Sequence, residues 1–176
     1  MTHPFEQLGA SNGPAATAPT GPKITLGGKL PLEDRMRATA ADPAGYAVAY
    51  LDLDRFKQLN DTHGHAAGDR ALRAFATTLR RRLRPRDLIG RWGGEEFLAV
   101  LPDCDRDQAR TVMERLRADL LDTLAAGDTP GFTISCGIAT SADAPTFADV
   151  VHRADEALLA AKAAGRDRVT DCTTLA

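Results

Sequence analysis

From Gly45 onward the chain switches repeatedly between two hydrophobic rhythms. Tyr46-Ala-Val-Ala-Tyr-Leu-Asp-Leu53 is an almost wholly apolar run that ends in acid, as expected of a central strand covered on both faces. Leu72, Phe75, Ala76, Leu79 and Leu83 then recur at the spacing of one helical face. They predict a helix over 66–84, with Asp69 near its start, where an acid suits the helix dipole, and Pro85 as its stop. Leu88–Trp92 and Glu96–Leu101 read as two strands joined at Gly93-Gly94. Ala109, Val112, Met113, Leu116 and Leu120 predict a second helix over 106–124, followed by a strand over Gly131–Thr140. Phe147, Val150, Val151, Ala154, Leu158 and Ala161 predict a third helix over 146–164, capped by Gly165, before a short strand over Arg168–Thr170. A short helix over Pro31–Ala41 precedes them all, with proline near its first turn.

The order β-α-β-β-α-β-α-β predicts an α+β fold of ferredoxin-like or palm-like plan, with a central antiparallel-rich sheet covered by helices. Residues 1–22, rich in Ala, Pro, Gly, Thr and Ser, read as a disordered arm or linker, leaving 23–176 as a single domain. At 176 residues the chain is long enough for one sizeable core. A formal net charge of −2 gives no whole-protein field favouring nucleic acid or anionic membrane. Cys104, Cys136 and Cys172 are far apart and form no CxxC pair, which fits a reduced cytoplasm better than a disulfide framework. No apolar stretch reaches the ~18–20 residues of a membrane span, and the N-terminus lacks the pattern of a signal peptide.

Four polar features then converge on one edge of the expected sheet. Asp52 and Asp54 share a face at the end of the first strand and would repel unless a cation or base lies between them; a solvated pair is the alternative. Lys57 and Asn60 follow, either as loop polar groups or as contacts to a phosphate and a base edge. Thr62-His-Gly-His-Ala-Ala-Gly-Asp69 contains two histidines without a nearby third ligand, a weak metal signal, and Gly64 and Gly68 suit a loop and the start of a helix. Finally, Arg91-Trp-Gly-Gly-Glu-Glu-Phe97 sets a turn able to adopt positive φ beside Glu95 and Glu96. Consecutive strand residues point opposite ways, so one glutamate should face the site unless the turn is distorted. Carboxylates from two adjacent strands suit Mg²⁺ and phosphoryl transfer, and no Walker A pattern is present.

Asp52-Leu-Asp-Arg-Phe-Lys-Gln-Leu-Asn-Asp61, Gly64-His-Ala-Ala-Gly-Asp69, Arg91-Trp-Gly-Gly-Glu-Glu-Phe97 and Ala154-Asp-Glu-Ala-Leu-Leu-Ala-Ala-Lys-Ala-Ala-Gly-Arg166 resemble, in order and spacing, the motifs of GGDEF-domain diguanylate cyclases. The resemblance implies a nucleotidyl cyclase-like fold and condensation of two GTP into cyclic di-GMP, with release of two pyrophosphates at a site between two subunits. It implies that Asp52, Glu95 and the Leu53 carbonyl hold Mg²⁺, or Mn²⁺, with Glu96 assisting. Glu95 would also help deprotonate the attacking 3′-hydroxyl. Asn60 and Asp69 would read guanine, and Gly93 and Gly94 would admit the nucleotide. Phe56, Lys57, Lys162 and Arg166 complete the substrate contacts, and helical spacing sets the last two on one side. Arg84-Pro-Arg-Asp87 matches the inhibitory RxxD site for the product, Arg84 and Asp87 being its defining residues; a solvated basic helix end or a nucleic-acid patch is the alternative.

Two departures bear on function. Lys23–Pro31 lacks the Asp and the Asn-Arg of the family's opening segment, and Leu159 stands where Tyr is common, which reads as a packing change. The expected partners are GTP, cyclic di-GMP, a second copy of the chain and a separate sensor protein, with no nucleic acid or membrane. The alternative is a catalytically weak GGDEF domain that binds GTP or cyclic di-GMP and relays it. A cyclase making a different dinucleotide is disfavoured by Asp69, the base-reading acid.

Overall fold

A computed structural model of the chain describes residues 32–41 and 44–175. The expected arm at 1–22 and the altered segment at 23–31 lie outside the described residues. The elements are α1 (Leu32–Ala40), β1 (Tyr46–Leu53), α2 (Phe56–His63), α3 (His65–Arg82), β2 (Leu88–Arg91), β3 (Glu96–Pro102), α4 (Arg106–Ala125), β4 (Ile134–Thr140), α5 (Phe147–Ala163) and β5 (Arg168–Asp171), with a 3₁₀ turn over Cys172–Leu175.

The five strands form one sheet in the order β2-β3-β1-β4-β5. β1 lies antiparallel to both β3 and β4, β2 is antiparallel to β3, and β5 joins β4 in parallel through α5. This is the predicted ferredoxin-like plan with one added edge strand. All eight residues of β1 are buried, as a central strand between two helical layers requires. Ala47, Ala49, Leu51 and Leu53 face a core built with Phe75 and Leu79 of α3 and Met113 and Leu116 of α4. Tyr46, Val48 and Tyr50 face the opposite core with Met36 of α1 and Val150, Ala154 and Leu158 of α5. Phe75 meets Phe97 edge-on at 4.9 Å between ring centroids, fixing α3 over β3.

Helix α2 was not expected from the sequence, where residues 57–61 read as a polar loop. Only Phe56 and Leu59 of its eight residues are buried, and Arg55 at its start takes φ 56° with no side-chain cap. Gly64, at φ 80°, is the whole connection between α2 and α3. Helix α3 ends at Arg82 rather than at 84, because Leu83 is already extended. Helix α4 starts in a capping box between Asp105 and Gln108, and α5 is capped by Thr146. At Gly137 in β4, an added Cβ would lie inside the backbone of Ala154–Leu158, so α5 sits directly on the strand. Leu159, where a packing change was expected, is 58% exposed on α5. All three cysteines are buried and free.

The β4–α5 connection is locked by Asp143. Its carboxylate accepts the Thr140 N–H at 2.7 Å and the Thr140 hydroxyl at 2.8 Å, and pairs with Arg106. Burial alone would raise the Asp143 pKa, but the bonds from Arg106 and Thr140 prevail and hold it at about 2. A depressed folded pKa gives stability that is full above the ordinary carboxylate value and lost as pH falls through the folded one. Asp143→Asn should therefore cost roughly 2 kcal/mol at pH 7 by urea denaturation. The gap to wild type should close between about pH 4 and pH 2, and a gap independent of pH would show that the charge of Asp143 is not what holds the loop.

Candidate active site

The antiparallel pairing of β1 with β3 sets Asp52 directly opposite Glu96. Cross-strand partners share a face, so the two carboxylates lie side by side. Glu95 stands one residue off the strand, and its carbonyl accepts the Leu53 N–H at 3.3 Å. From α5, Lys162 reaches down and its Nζ lies 2.9 Å from the Asp52 carboxylate. Burial and the neighbouring Asp52 push the pKa of both Glu95 and Glu96 above the usual carboxylate range, while Lys162 partly offsets this. Asp52 is also raised, mainly by burial, against the pull of Lys162 and Arg166. Three acids thus share one lysine as their nearest cation, a hard-oxygen donor set that suits Mg²⁺ or Mn²⁺. No three or more acidic, histidine or cysteine side chains among the described residues already surround a single cation position. By register Glu96 is the glutamate on the Asp52 face, whereas Glu95, implied by the resemblance as the main metal residue, stands at the turn one residue off the strand.

The turn itself differs from expectation. Gly93 and Gly94 do not take positive φ. A Cβ at Gly93 would meet the end of the Glu96 side chain, which would have to shift, whereas open space surrounds Gly94. Arg91 holds the turn, its Nε donating to the carbonyls of Gly94 at 3.0 Å and Gly93 at 3.2 Å. The Trp92 N–H donates to Glu96 O at 2.8 Å.

A second cluster joins α2 and α3. The Asn60 Oδ1 is buried and has no hydrogen-bond partner among the described residues. Gly68 faces it across the Gly64 turn, and a Cβ at Gly68 would overlap this oxygen and crowd the Phe56 ring. A buried acceptor left unpaired costs about 1–3 kcal/mol, so this oxygen fits a ligand that brings an N–H. Asp69 is exposed on the next residue of α3, and Lys57 is exposed on α2. His63 and His65 are exposed on either side of Gly64.

The structure separates the two strand-end aspartates that the sequence paired. Asp54 is committed to protein donors: the Thr133 and Ser135 hydroxyls, each at 2.7 Å, and the Asp167 N–H at 3.0 Å. Arg84 and Asp87 form a turn between α3 and β2. The Arg84 N–H donates to Asp87 at 2.7 Å, and the Asp87 N–H returns to Arg84 O at 2.9 Å. The Asp87 side chain is 2% exposed and the Arg84 side chain 42%, so the arginine is the accessible partner.

An acid pair across two antiparallel strands of a ferredoxin-like sheet, with a lysine above it from α5 and an amide on α2 beside a glycine of α3, fits a nucleotidyl cyclase-like palm domain. The chain matches the family model described as "Diguanylate cyclase, GGDEF domain" over residues 29–168, and it belongs to that family. It is 40% identical over 160 residues to diguanylate cyclase DgcP of Pseudomonas aeruginosa, covering 85% of this chain and 23% of that protein. It is 40% identical over 124 residues to diguanylate cyclase DgcM of Escherichia coli K12, covering 70% of this chain and 30% of that one. The chain thus spans less than a third of the length of these two curated relatives. Among solved structures, the GGDEF domain of DgcB from Caulobacter crescentus in complex with c-di-GMP aligns with a TM-score of 0.73 at 31% identity, over 80% of this chain and 88% of that one. Diguanylate cyclase SiaD of P. aeruginosa, in complex with its activator SiaC, aligns with a TM-score of 0.70 at 41% identity, over 80% of this chain and 55% of that one.

The raised pKa of Glu96 has a thermodynamic consequence. Between the ordinary and the raised pKa the folded state binds more protons than the unfolded one, so stability falls as pH rises through that window. Glu96→Gln should raise the melting temperature of the cation-free protein at pH 7. The gain should vanish below about pH 4. Equal melting temperatures at pH 7 would show that Glu96 feels neither burial nor Asp52.

Proposed function

We propose that this chain is the catalytic domain of a diguanylate cyclase that joins two GTP into cyclic di-GMP, with Mg²⁺ or Mn²⁺ and with one GTP on each of two facing copies. The observation that supports it most is the Asp52–Glu96 register, which collects acids for a cation beside a buried acceptor suited to a guanine edge.

In this reading Asn60 Oδ1 accepts from guanine, and the Asp69 carboxylate accepts from the N1–H and N2–H₂ donors that adenine lacks. Gly68 keeps the base surface clear, with Phe56 beneath, and Gly94 leaves open space for the sugar and phosphates. Lys57, Lys162 and Arg166 supply positive charge for the triphosphate. Asp52, Glu95, Glu96 and the Leu53 carbonyl hold the divalent ion, which when bound neutralises phosphate charge and eases ionisation of a 3′-hydroxyl. Glu95 takes the proton of that hydroxyl. The 3′-oxygen bonds to the α-phosphorus of the GTP on the facing copy, the bond to pyrophosphate breaks, and the same event on the other copy closes the ring.

Arg84 and Asp87 form the site for feedback by cyclic di-GMP, with the exposed Arg84 fork making first contact. Control by a separate protein has a parallel in SiaD with its activator SiaC. No helix among the described residues is long and apolar enough to cross a membrane. We assign the domain to the cytoplasm, where GTP is at hand.

The protein, incubated with GTP and Mg²⁺, should yield cyclic di-GMP by mass spectrometry. Glu95→Gln should lower turnover by at least about 100-fold while leaving the circular dichroism unchanged. Nucleotide binding without any product at high protein concentration would turn the assignment to a binding and relay module.

A further inference from the structure

Gly165, Arg166 and Asp167 are three consecutive residues in the left-handed region, at φ +114°, +65° and +46°. Two of them carry side chains, and each such residue costs about 1 kcal/mol or more in that region. A run like this persists only when surrounding bonds over-determine it, and this run sets the position of Arg166. The first two amides still return to α5: Gly165 N–H donates to Lys162 O at 3.4 Å and Arg166 N–H to Ala161 O at 3.0 Å. The third leaves the helix, and Asp167 N–H donates to the Asp54 carboxylate at 3.0 Å. Asp54 is 5% exposed. Its Oδ2 also takes the Thr133 hydroxyl and its Oδ1 the Ser135 hydroxyl, both at 2.7 Å. Arg117 holds the Asp167 side chain at 2.9 Å from the other side. Asp54, Arg166 and Asp167 share the wall of a cavity of about 410 Å³.

We propose that Asp54 is a positioning residue: it ties the end of β1 to the α5–β5 loop and thereby fixes Arg166 beside the acid site for the triphosphate. The proposal rests on the nucleotide reading above. It explains why two acids end β1 on the same face with different tasks, Asp52 facing the glutamates and lysine and Asp54 facing donors only. It also explains why the residue is an acid. A carboxylate accepts at both oxygens, whereas asparagine would present an N–H₂ to Ser135, whose hydroxyl would have to turn and accept, and its neutral oxygen would accept more weakly from Thr133 and Asp167.

The test is calorimetric titration with a GTP analogue bridged by methylene between the α and β phosphorus, in Mg²⁺, with GMP as control. Asp54→Asn and Arg166→Ala should each weaken the analogue by roughly tenfold or more. The double variant should bind no more weakly than Arg166→Ala alone, because Asp54 acts through Arg166. GMP affinity should be the same in all four proteins. If Asp54→Asn does not give a native circular dichroism spectrum, Thr133→Val/Ser135→Ala, which keeps Asp54 but removes two of its donors, should show a smaller loss with the same non-additivity. Wild-type affinity in Asp54→Asn, wild-type affinity in Arg166→Ala, or losses that multiply in the double variant would each overturn the positioning role. A wild-type protein that binds neither analogue nor GMP would instead overturn the nucleotide reading itself.

Discussion

Everything at the functional end of this domain depends on the register between β1 and β3. Pairing Asp52 with Glu96 puts two carboxylates on one face in a partly buried setting. The core sets that register. Leu51 and Leu53 lie on one face of β1 and Val48 and Tyr50 on the other, each committed to a different helical layer. A slip of one residue would move every one of these side chains to the wrong face. The acids therefore sit where apolar burial places them, at a cost shown by the raised pKa of all three. Such a site is held by the fold against its own electrostatics, and a bound cation would relieve the strain.

Around this pair the structure distributes labour among short, rigid contacts. Gly137 lets α5 lie on β4 without an intervening side chain, which sets the height from which Lys162 reaches Asp52. Gly64 folds α2 back on α3, and Gly68 then leaves room for the Asn60 side chain. Arg91 braces the hairpin carbonyls so that Glu95 and Glu96 emerge from a fixed turn. None of these contacts is large, yet each removes a freedom that would let a charged group drift, as preorganisation for the proposed phosphoryl transfer would require.

Much of the plan was legible from residue pattern. β1 was readable to its ends, because eight residues buried on both faces leave an unambiguous apolar run. The faces of α3, α4 and α5 were readable from Leu72 and Phe75, Met113 and Leu116, and Val150 and Leu158. Helix α2 was not: it buries only Phe56 and Leu59, starts from a left-handed Arg55 and has no side-chain cap, so neither periodicity nor capping announced it. At the site, the acids were visible as residues but not as partners. Asp52 and Asp54 looked equivalent two residues apart. What separates them are Thr133, Ser135 and Asp167, distant in sequence and brought close only by the β1–β4 pairing and the α5–β5 loop. Gly93 was expected to serve a positive-φ turn, and it takes no positive φ; a side chain there would meet the end of Glu96 instead.

The central claim is that one cation and one guanine meet at these two neighbouring clusters. A crystal structure of the protein with Mn²⁺ and a GTP analogue, phased to show the anomalous scattering of the metal, tests it most directly. An anomalous peak is expected between the Asp52 carboxylate and the glutamates of the β3 turn, with a guanine N–H on the Asn60 Oδ1. A metal elsewhere, or a guanine bound away from Asn60 and Gly68 while the metal sits at Asp52, would contradict it.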